Sequence, residues 1–323
     1  MVARYAESIG DDCGVVPFGR ASIVATTDPV PKPAASAIGG DDDLFWMGWL
    51  LVTINASDLA AAGAEPLGFM AALEMPALLE SSELERLLSG IRGSCDAQGL
   101  AYLGGNLREA GTIAGVGTAI GVVREGPPLT RSGMREGDAL LSIGNGGVFW
   151  RDALLILRQL GMPEKDESPV FRPLSCLAVM SKLREGGVVA AMDNSDGLLP
   201  TLEQLAEKNG CGIVLNLDAL KVPGCEKLVG IDEARLWLGW GDWTVVGATR
   251  PESAEAVVEL ARSTGYSATV IGKCEGADPV VLLESQGKRV RAPRVESERF
   301  AADSWFSSGL DTYIETLLTV PLR

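Results

Sequence analysis

NASDLAAAGAEP, Asn55–Pro66, places one carboxylate, Asp58, among alanines and directly behind the apolar run LFWMGWLLVTI, Leu44–Ile54. A stretch this apolar is expected to be buried, and an ionised carboxylate is costly to bury without a partner. The neighbouring sequence supplies no Lys, Arg or His. A bound cation is the economical partner, and one aspartate cannot hold it, so further acids must converge on Asp58 from elsewhere. Three clusters are available: Gly10-Asp11-Asp12, Thr26-Thr27-Asp28 and Asp193-Asn194-Ser195-Asp196-Gly197. The last repeats the motif around Asp58, a polar residue and a spacer followed by Ser-Asp.

Working outward, Asp41-Asp42-Asp43 offers an N-cap and first-turn charge for a helix from about Leu44 to Ala62, closed by Gly63. Asp58 then lies on the last turns of a buried helix. Upstream, residues 12–30 read as a hairpin whose second strand ends at Asp28, and Pro29–Gly40, with three prolines, reads as an irregular loop. Downstream come a strand from Pro66, a helix capped by Ser81 or Ser82 and ending at Gly99, and two strands joined by the polar turn Asn106–Gly111. Gly, Pro and charge cluster at Arg124–Asp138, which is read as the domain boundary. The expected domains are 1–128, an α+β domain, and 129–323, an α/β domain. The second opens with a strand, the turn Gly144-Asn145-Gly146-Gly147 and a helix. Pro163, Pro169 and Pro173 then lead to another helix, followed by the strand VVAAMD and a helix capped by Asn194 or Ser195. Strands CGIVLNL, WTVVGAT and ATVIGKC, a helix at 252–264 and one after Asp311 complete it.

A chain of 323 residues suits two domains. Its net charge of −15 argues against nucleic acid or an anionic membrane as partner. Histidine is absent, which excludes Ser-His-Asp and Cys-His catalysis and imidazole-based zinc sites. The six cysteines show no C-x-x-C spacing and read as reduced, mostly buried thiols, Cys13 included. No apolar stretch precedes Gly10-Asp11-Asp12, so no signal peptide is expected and the location is read as cytoplasmic. Asn55, Ser57 and Asp58 interrupt the apolar run, so Leu44–Ala62 is expected to be a core helix and no membrane span.

Aspartates with Ser, Thr and Asn neighbours are hard oxygen ligands, which select Mg²⁺, Mn²⁺ or Ca²⁺. Several such pairs on different elements suggest more than one ion, as in phosphoryl chemistry on a nucleotide. The P-loop pattern is absent from the sequence. Gly144–Gly147 could hold a phosphate on backbone N–H groups or be a plain strand-to-helix turn.

Taken together and in order, GDDCGVV, TTD, NASDLAAAGAEP, GGN, LTRSGMREGD and MDNSDGL resemble the thiamine-monophosphate kinase family, within the wider group typified by aminoimidazole ribonucleotide synthetase. The resemblance spans about residues 9–250. It implies a two-domain fold, a homodimer in which first-domain strands pair across the two-fold, and ATP held by magnesium ions between the domains. It also implies transfer of the γ-phosphoryl group to a small phosphate acceptor. Carried over by position, Asp12, Thr26, Thr27, Asp28, Asp58, Asp193 and Asp196 fall on metal ligands, with Asp58 and Asp196 assigned the catalytic role. Gly105, Asn106, Arg131 and Ser195 fall on nucleotide contacts. Three departures stand out. The family's Gly-Gly-Asp reads Gly104-Gly105-Asn106, the histidine that it places on the thiamine phosphate has no counterpart, and its Gly-Gly-Glu-Asp-Tyr-Glu reads Gly239-Trp240-Gly241-Asp242-Trp243-Thr244. The metal machinery is kept while the acceptor pocket is rewritten. A kinase-like enzyme on a diverged substrate is the expectation. The alternatives are a nucleotide-binding protein without catalysis and a synthetase-type enzyme that activates an amide or carbonyl by phosphorylation.

Overall fold

The computed structural model describes residues 11–293 and 309–322, so Gly10 and the leader question lie outside the described residues. The chain divides into two units, the first running to Thr130 and including Pro163–Lys182, the second formed by Arg131–Met162 and the chain from Leu183 onward. The segment 163–182, which sequence alone assigns to the second domain, therefore packs in the first unit. Its hold is specific: Trp49 Nε1 and Thr53 Oγ1 both donate to the Pro173 carbonyl, at 2.8 and 2.9 Å, and Ser175 N donates to Gln98 Oε1 at 3.0 Å.

In the first unit the elements run β1 (Gly14–Phe18), β2 (Ala21–Pro29), α1 (Ala34–Ala37), α2 (Leu44–Ala61), β3 (Glu65–Met75), α3 (Ser81–Gln98), β4 (Ala101–Glu109) and β5 (Ala114–Val123). The sheet order is β1-β2-β5-β3-β4, with β3 and β4 parallel and the other pairs antiparallel. Asp43 caps α2 by accepting from Phe45 N at 2.9 Å. Arg86 beside it holds its carboxyl below the usual range. Fifteen residues of α2 are buried, because it lies between α3 and the β2–β5 part of the sheet. A helix apolar all round belongs in such a place. The α2–α3 crossing is set by two glycines: a Cβ on Gly48 would overlap the Leu87 carbonyl, and one on Gly90 the Phe45 carbonyl.

Local readings differ at four points. A short helix, α1, interrupts the expected loop Pro29–Gly40 because Ser36, Ala37 and Ile38 close backbone turns onto Pro33 and Ala34. Glu80, not Ser81 or Ser82, caps α3, and Glu83 returns the bond to the Glu80 amide at 3.2 Å. Asn106–Glu109 belongs to β4 and not to a turn: the strand lies at the sheet edge, where polar side chains face out.

The fourth difference lies in the second unit, where Gly197, not Asn194 or Ser195, is the N-cap of α6. That unit contains β6 (Ala139–Ile143), α4 (Val148–Leu157), the end of α5 (Leu177–Glu185), β7 (Val188–Asp193), α6 (Leu198–Asn209) and β8 (Ile213–Asn216). There follow α7 (Glu233–Leu236), β9 (Val245–Thr249), α8 (Ala254–Ser263), β10 (Ala268–Cys274), β11 (Val281–Ser285), β12 (Lys288–Arg291) and α9 (Leu310–Thr319). Its sheet runs β12-β11-β8-β10-β6-β9-β7, and β8–β11 is the parallel pair. The hairpin β11–β12 and the short α7 have no counterpart in the sequence reading. All six cysteines are free thiols, and burial pushes that of Cys95 up to about 12.

Candidate functional site

Asp58 reaches its place because α2 carries it on its last turn and β2 runs alongside. Asp58 is 7% exposed and accepts a hydrogen bond from Thr26 Oγ1 at 2.5 Å. Strand alternation turns Thr26 inward and Thr27 outward. The Thr27 hydroxyl donates to the Gly117 carbonyl on β5 at 2.8 Å, so it is on the face away from Asp58. Asp28 follows at the strand end, where its amide donates to Asn55 Oδ1 at 3.1 Å; Asn55 in turn donates through Nδ2 to Leu51 O at 2.9 Å. Asn55 thus ties β2 to α2 and fixes the register between Thr26 and Asp58. Asp12 offers a carboxylate oxygen within 4.8 Å of one from Asp58. A cleft of about 160 Å³ opens here, lined by Asp11, Asp12, Cys13, Val15, Ala62, Leu129 and Thr130.

Two carboxylates this close repel each other unless charge is supplied, and carboxylate and hydroxyl oxygens without imidazole or clustered thiolate make a hard donor set. The residues present fit a divalent ion of the magnesium type.

Gly105 sits opposite Ala71 in the parallel β3–β4 pair, where a Cβ would overlap the Ala71 carbonyl. Only glycine fits. Asn106 follows it, paired with Ala72 and exposed to solvent.

In the second unit Asp193 ends β7 and is buried, and Ser195 and Asp196 lie in the turn before α6, half-buried. Asn194 between them is clamped: its amide N–H donates to the Thr244 carbonyl at 2.8 Å, its Nδ2 to Thr244 Oγ1 at 3.2 Å, and its Oδ1 accepts from Thr201 Oγ1 at 3.3 Å. Arg131 donates through Nη1 to Gln204 Oε1 at 3.0 Å.

Gly144–Gly147 is not a phosphate cradle of the kind its glycines allowed. Asp242 fills that role, accepting from Gly147 N at 2.6 Å and Phe149 N at 2.8 Å and so capping α4 from 95 residues away. Burial pushes the Asp242 carboxyl up to about 7 against the pull of those two amides. The neighbouring Gly241 has φ +106°, and a Cβ there would lie 2.7 Å from the Phe149 ring. The glutamate that the kinase pattern places at this position has no room. The bracing roles of Asn55, Asn194, Asp242 and Thr244 escaped the sequence reading because Asp28, Thr244, Gly147 and Asn194, their respective partners, lie 27 to 95 residues away, and Thr201 was not singled out at all; the one visible signal was the polar residues inside apolar runs.

Two family descriptions match: AIR synthase related protein, N-terminal domain, over residues 10–123, and AIR synthase related protein, C-terminal domain, over residues 135–283. The chain belongs to the AIR synthase related proteins. Within this family it is 26% identical, over 75% of its length and 80% of the relative's, to a thiamine-monophosphate kinase of Methanospirillum hungatei. It is 27% identical, over 87% of its length and 84% of the relative's, to a putative hydrogenase expression/formation protein of Methanocaldococcus jannaschii. Among solved structures, that of AaThiL complexed with AMPPCP and TMP superposes with a TM-score of 0.72 at 23% identity, over 90% of this chain and 93% of that one. The mixed α/β two-domain fold expected from the motifs is the fold of an AIR synthase related protein.

Proposed function

We propose that this protein is an ATP- and Mg²⁺-dependent phosphotransferase that transfers the γ-phosphoryl group to a small phosphorylated acceptor, with an acceptor pocket unlike that of a thiamine-monophosphate kinase. The observation that carries the reading is the buried Asp58 held by Thr26 with Asp12 within 4.8 Å. An acidic chain of net charge −15 can take up a triphosphate only where that charge is offset. Asp12, Thr26 and Asp58 would hold Mg²⁺, and the resemblance gives Asp193 and Asp196 the same task. Bound Mg²⁺ would supply charge neutralisation on the triphosphate. Thr26 keeps Asp58 oriented, while Arg131, Ser195 and the bare backbone at Gly105 serve the nucleotide. Asp28 keeps the ligand role that the resemblance gives it, its carboxylate standing at the end of β2, whereas the Thr27 hydroxyl, also expected as a ligand, is engaged with Gly117. An acceptor phosphate is already an anion, so positioning and charge neutralisation suffice without a general base.

The relatives' names support the kinase reading, and Gly241 supports the diverged pocket. Titration calorimetry with ATP should give binding with Mg²⁺ and little heat in chelator; equal affinity in both would end the metal-bridge reading. ADP formation should be weak with thiamine monophosphate as acceptor. Saturable thiamine diphosphate production would restore a plain thiamine-monophosphate kinase. The resemblance to the synthetase branch gives a second reading, carbonyl or amide activation by phosphorylation, which ATP turnover with a carboxamide acceptor would reveal.

The sheet of the first unit leaves Val16 and Phe18 on β1 and Leu103 and Leu107 on β4 more than half exposed. Exposed apolar side chains grouped on strands mark an interaction surface. We assign that surface to a second copy of the chain, as the resemblance implies. Sedimentation should show a dimer that Phe18→Glu with Leu103→Glu converts to a monomer.

A further inference from the structure

The strand–loop–helix junction of the second unit contains two hydrogen-bond clamps that the proposed activity does not by itself require, and both are anchored on α6. The first is Thr201, fully buried on the opening turn of α6, whose hydroxyl donates to Asn194 Oδ1. Asn194 has Asp193 before it and Asp196 two residues after it, and its remaining bonds go to Thr244 at the entrance to β9. The second clamp is at the other end of the helix. Asn209 Nδ2 donates to the Arg131 carbonyl at 2.8 Å and to Leu205 O at 2.9 Å. Its Oδ1 accepts from Gly133 N at 2.9 Å and Met134 N at 3.0 Å. One Asn209 amide hydrogen and its oxygen are thus spent on the turn Arg131–Met134, the other amide hydrogen ties the side chain back to α6, and Gln204, between the two clamps, takes the Arg131 guanidinium.

We infer that α6 is the positioning element for two loops at once, holding the Asp193–Asp196 loop through Thr201 and Asn194 and the Arg131 loop through Asn209 and Gln204. These are positioning residues: each acts through another side chain, and none is assigned to touch the nucleotide or the ion. The geometry explains why side chains are needed. Beyond Asp193, where the β7–β9 ladder stops, neither loop is in a helix or strand, and a loop freed by a fraction of its hydrogen bonds samples many conformers. Partners behind a ligand set the ligand's orientation, and their loss costs about 10–100-fold in metal affinity. Arg131 and the acids sit at opposite ends of one twelve-residue helix, so its rigidity would also fix their separation.

This rests on the kinase reading for what the loops bind, but not for whether α6 holds them. The test uses the full chain with Thr201→Val, which keeps shape and removes the donor, and Asn209→Ala, with Thr201→Ser as the conservative control. Hydrogen exchange should rise at residues 194–197 in Thr201→Val alone and at residues 131–134 in Asn209→Ala alone. Manganese affinity of the protein without nucleotide should fall about tenfold in Thr201→Val, stay at the wild-type value in Asn209→Ala, and recover in Thr201→Ser. Affinity for ATP with saturating Mg²⁺ should fall about tenfold in Asn209→Ala, and Asn209→Ala should add nothing further in an Arg131→Ala background. Exchange that rises everywhere or nowhere, or a full Asn209→Ala effect in the Arg131→Ala background, overturns the inference. Should the wild type bind no Mg²⁺-ATP, the kinase reading fails, and the segregation of exchange between the two loops still decides the role of α6.

Discussion

Asn55-Ala56-Ser57-Asp58 and Asp193-Asn194-Ser195-Asp196 are nearly the same words in sequence and opposite solutions in structure. In the first, the tetrad lies inside α2, whose backbone ladder fixes every residue, and Asn55 is left to reach outward to Asp28 and bind β2. In the second, the tetrad is the end of β7 and a loop, the backbone ladder stops at Asp193, and Asn194 must turn inward to Thr244 and Thr201 to hold the loop itself. A carboxylate on a helix is placed by its frame. A carboxylate on a loop is placed by side chains, and its position is only as firm as theirs.

The largest expected effect tests the second solution through Asp242, which stands two residues before Thr244 and anchors that stretch to α4. Burial raises its carboxyl to about 7 from an ordinary value of 3.8. The unfolded chain therefore ionises first as pH rises, the folded state holds the proton, and the group's contribution is whole below the unfolded value and lost as pH passes through the folded one. The loss is about 4 kcal/mol between pH 4 and 7 at roughly 1.4 kcal/mol per unit. Asp242→Asn removes that slope. Urea unfolding of both proteins across this range should show the variant gaining on the wild type with pH; parallel curves would mean that Asp242 does not carry the proton.

Next in size is Asp58→Asn, which tests the first solution. The helix keeps the side chain in place, and an amide oxygen can still accept from Thr26. Folding of the unliganded protein should hold or improve, since a buried charge is removed. Mg²⁺-dependent ATP affinity should fall by about 100-fold, at the upper end of what loss of a supporting group alone costs. A large drop in the melting temperature of the unliganded variant would show instead that the carboxylate is a structural hydrogen-bonding group.

The two asparagines give the direct contrast. Asn55→Ala empties a fully buried side-chain site and leaves the half-buried Asp28 amide without its acceptor, and should cost about 2–3 kcal/mol of stability. Asn194→Ala leaves the Asn194 backbone bond to Thr244 intact and loses two long side-chain bonds, so it should cost about 1 kcal/mol. Chemical denaturation of both variants settles the order, and a reversed order would break the distinction between frame and clamp.

The helix that carries Asp58 was legible in sequence for reasons that stay local: an aspartate cap at Asp43, an unbroken apolar run, and Gly63 after the end. Asp58 and Thr26 were legible as one site because a buried carboxylate has few physical options. Other features were set by distance in the chain. Nothing near Gly144–Gly147 announces that Asp242 will cap the helix behind it, and nothing near Pro173 announces Trp49. Asn106–Glu109 read as a turn because its residues are polar, whereas a polar strand is what an edge position permits. The kinase-like motifs located the acids; they did not reveal that Thr27 faces away from them or that Phe149 fills the space beside Gly241.

Asn106 gives the smallest expected effect and the finest test of the frame. It follows Gly105 on β4, held in register by pairing with Ala72, so its side chain is placed by a backbone ladder as Asp58 is. Where the kinase pattern has an aspartate, this chain has lost one negative charge at an exposed position. Restoring it with Asn106→Asp adds a unit charge in water-like surroundings, worth about 1 kcal/mol against a divalent cation at about 8 Å and less at high salt. Mg²⁺ affinity should therefore rise by no more than about fivefold, and the gain should shrink as ionic strength increases. Acceptor preference should not change, because Phe149 still occupies the space that a glutamate at position 241 would need. Metal titrations at low and high salt, run beside acceptor profiles of wild type and variant, measure both. A variant that acquires turnover of thiamine monophosphate would place the barrier to that substrate at Asn106 and remove the role given to Gly241.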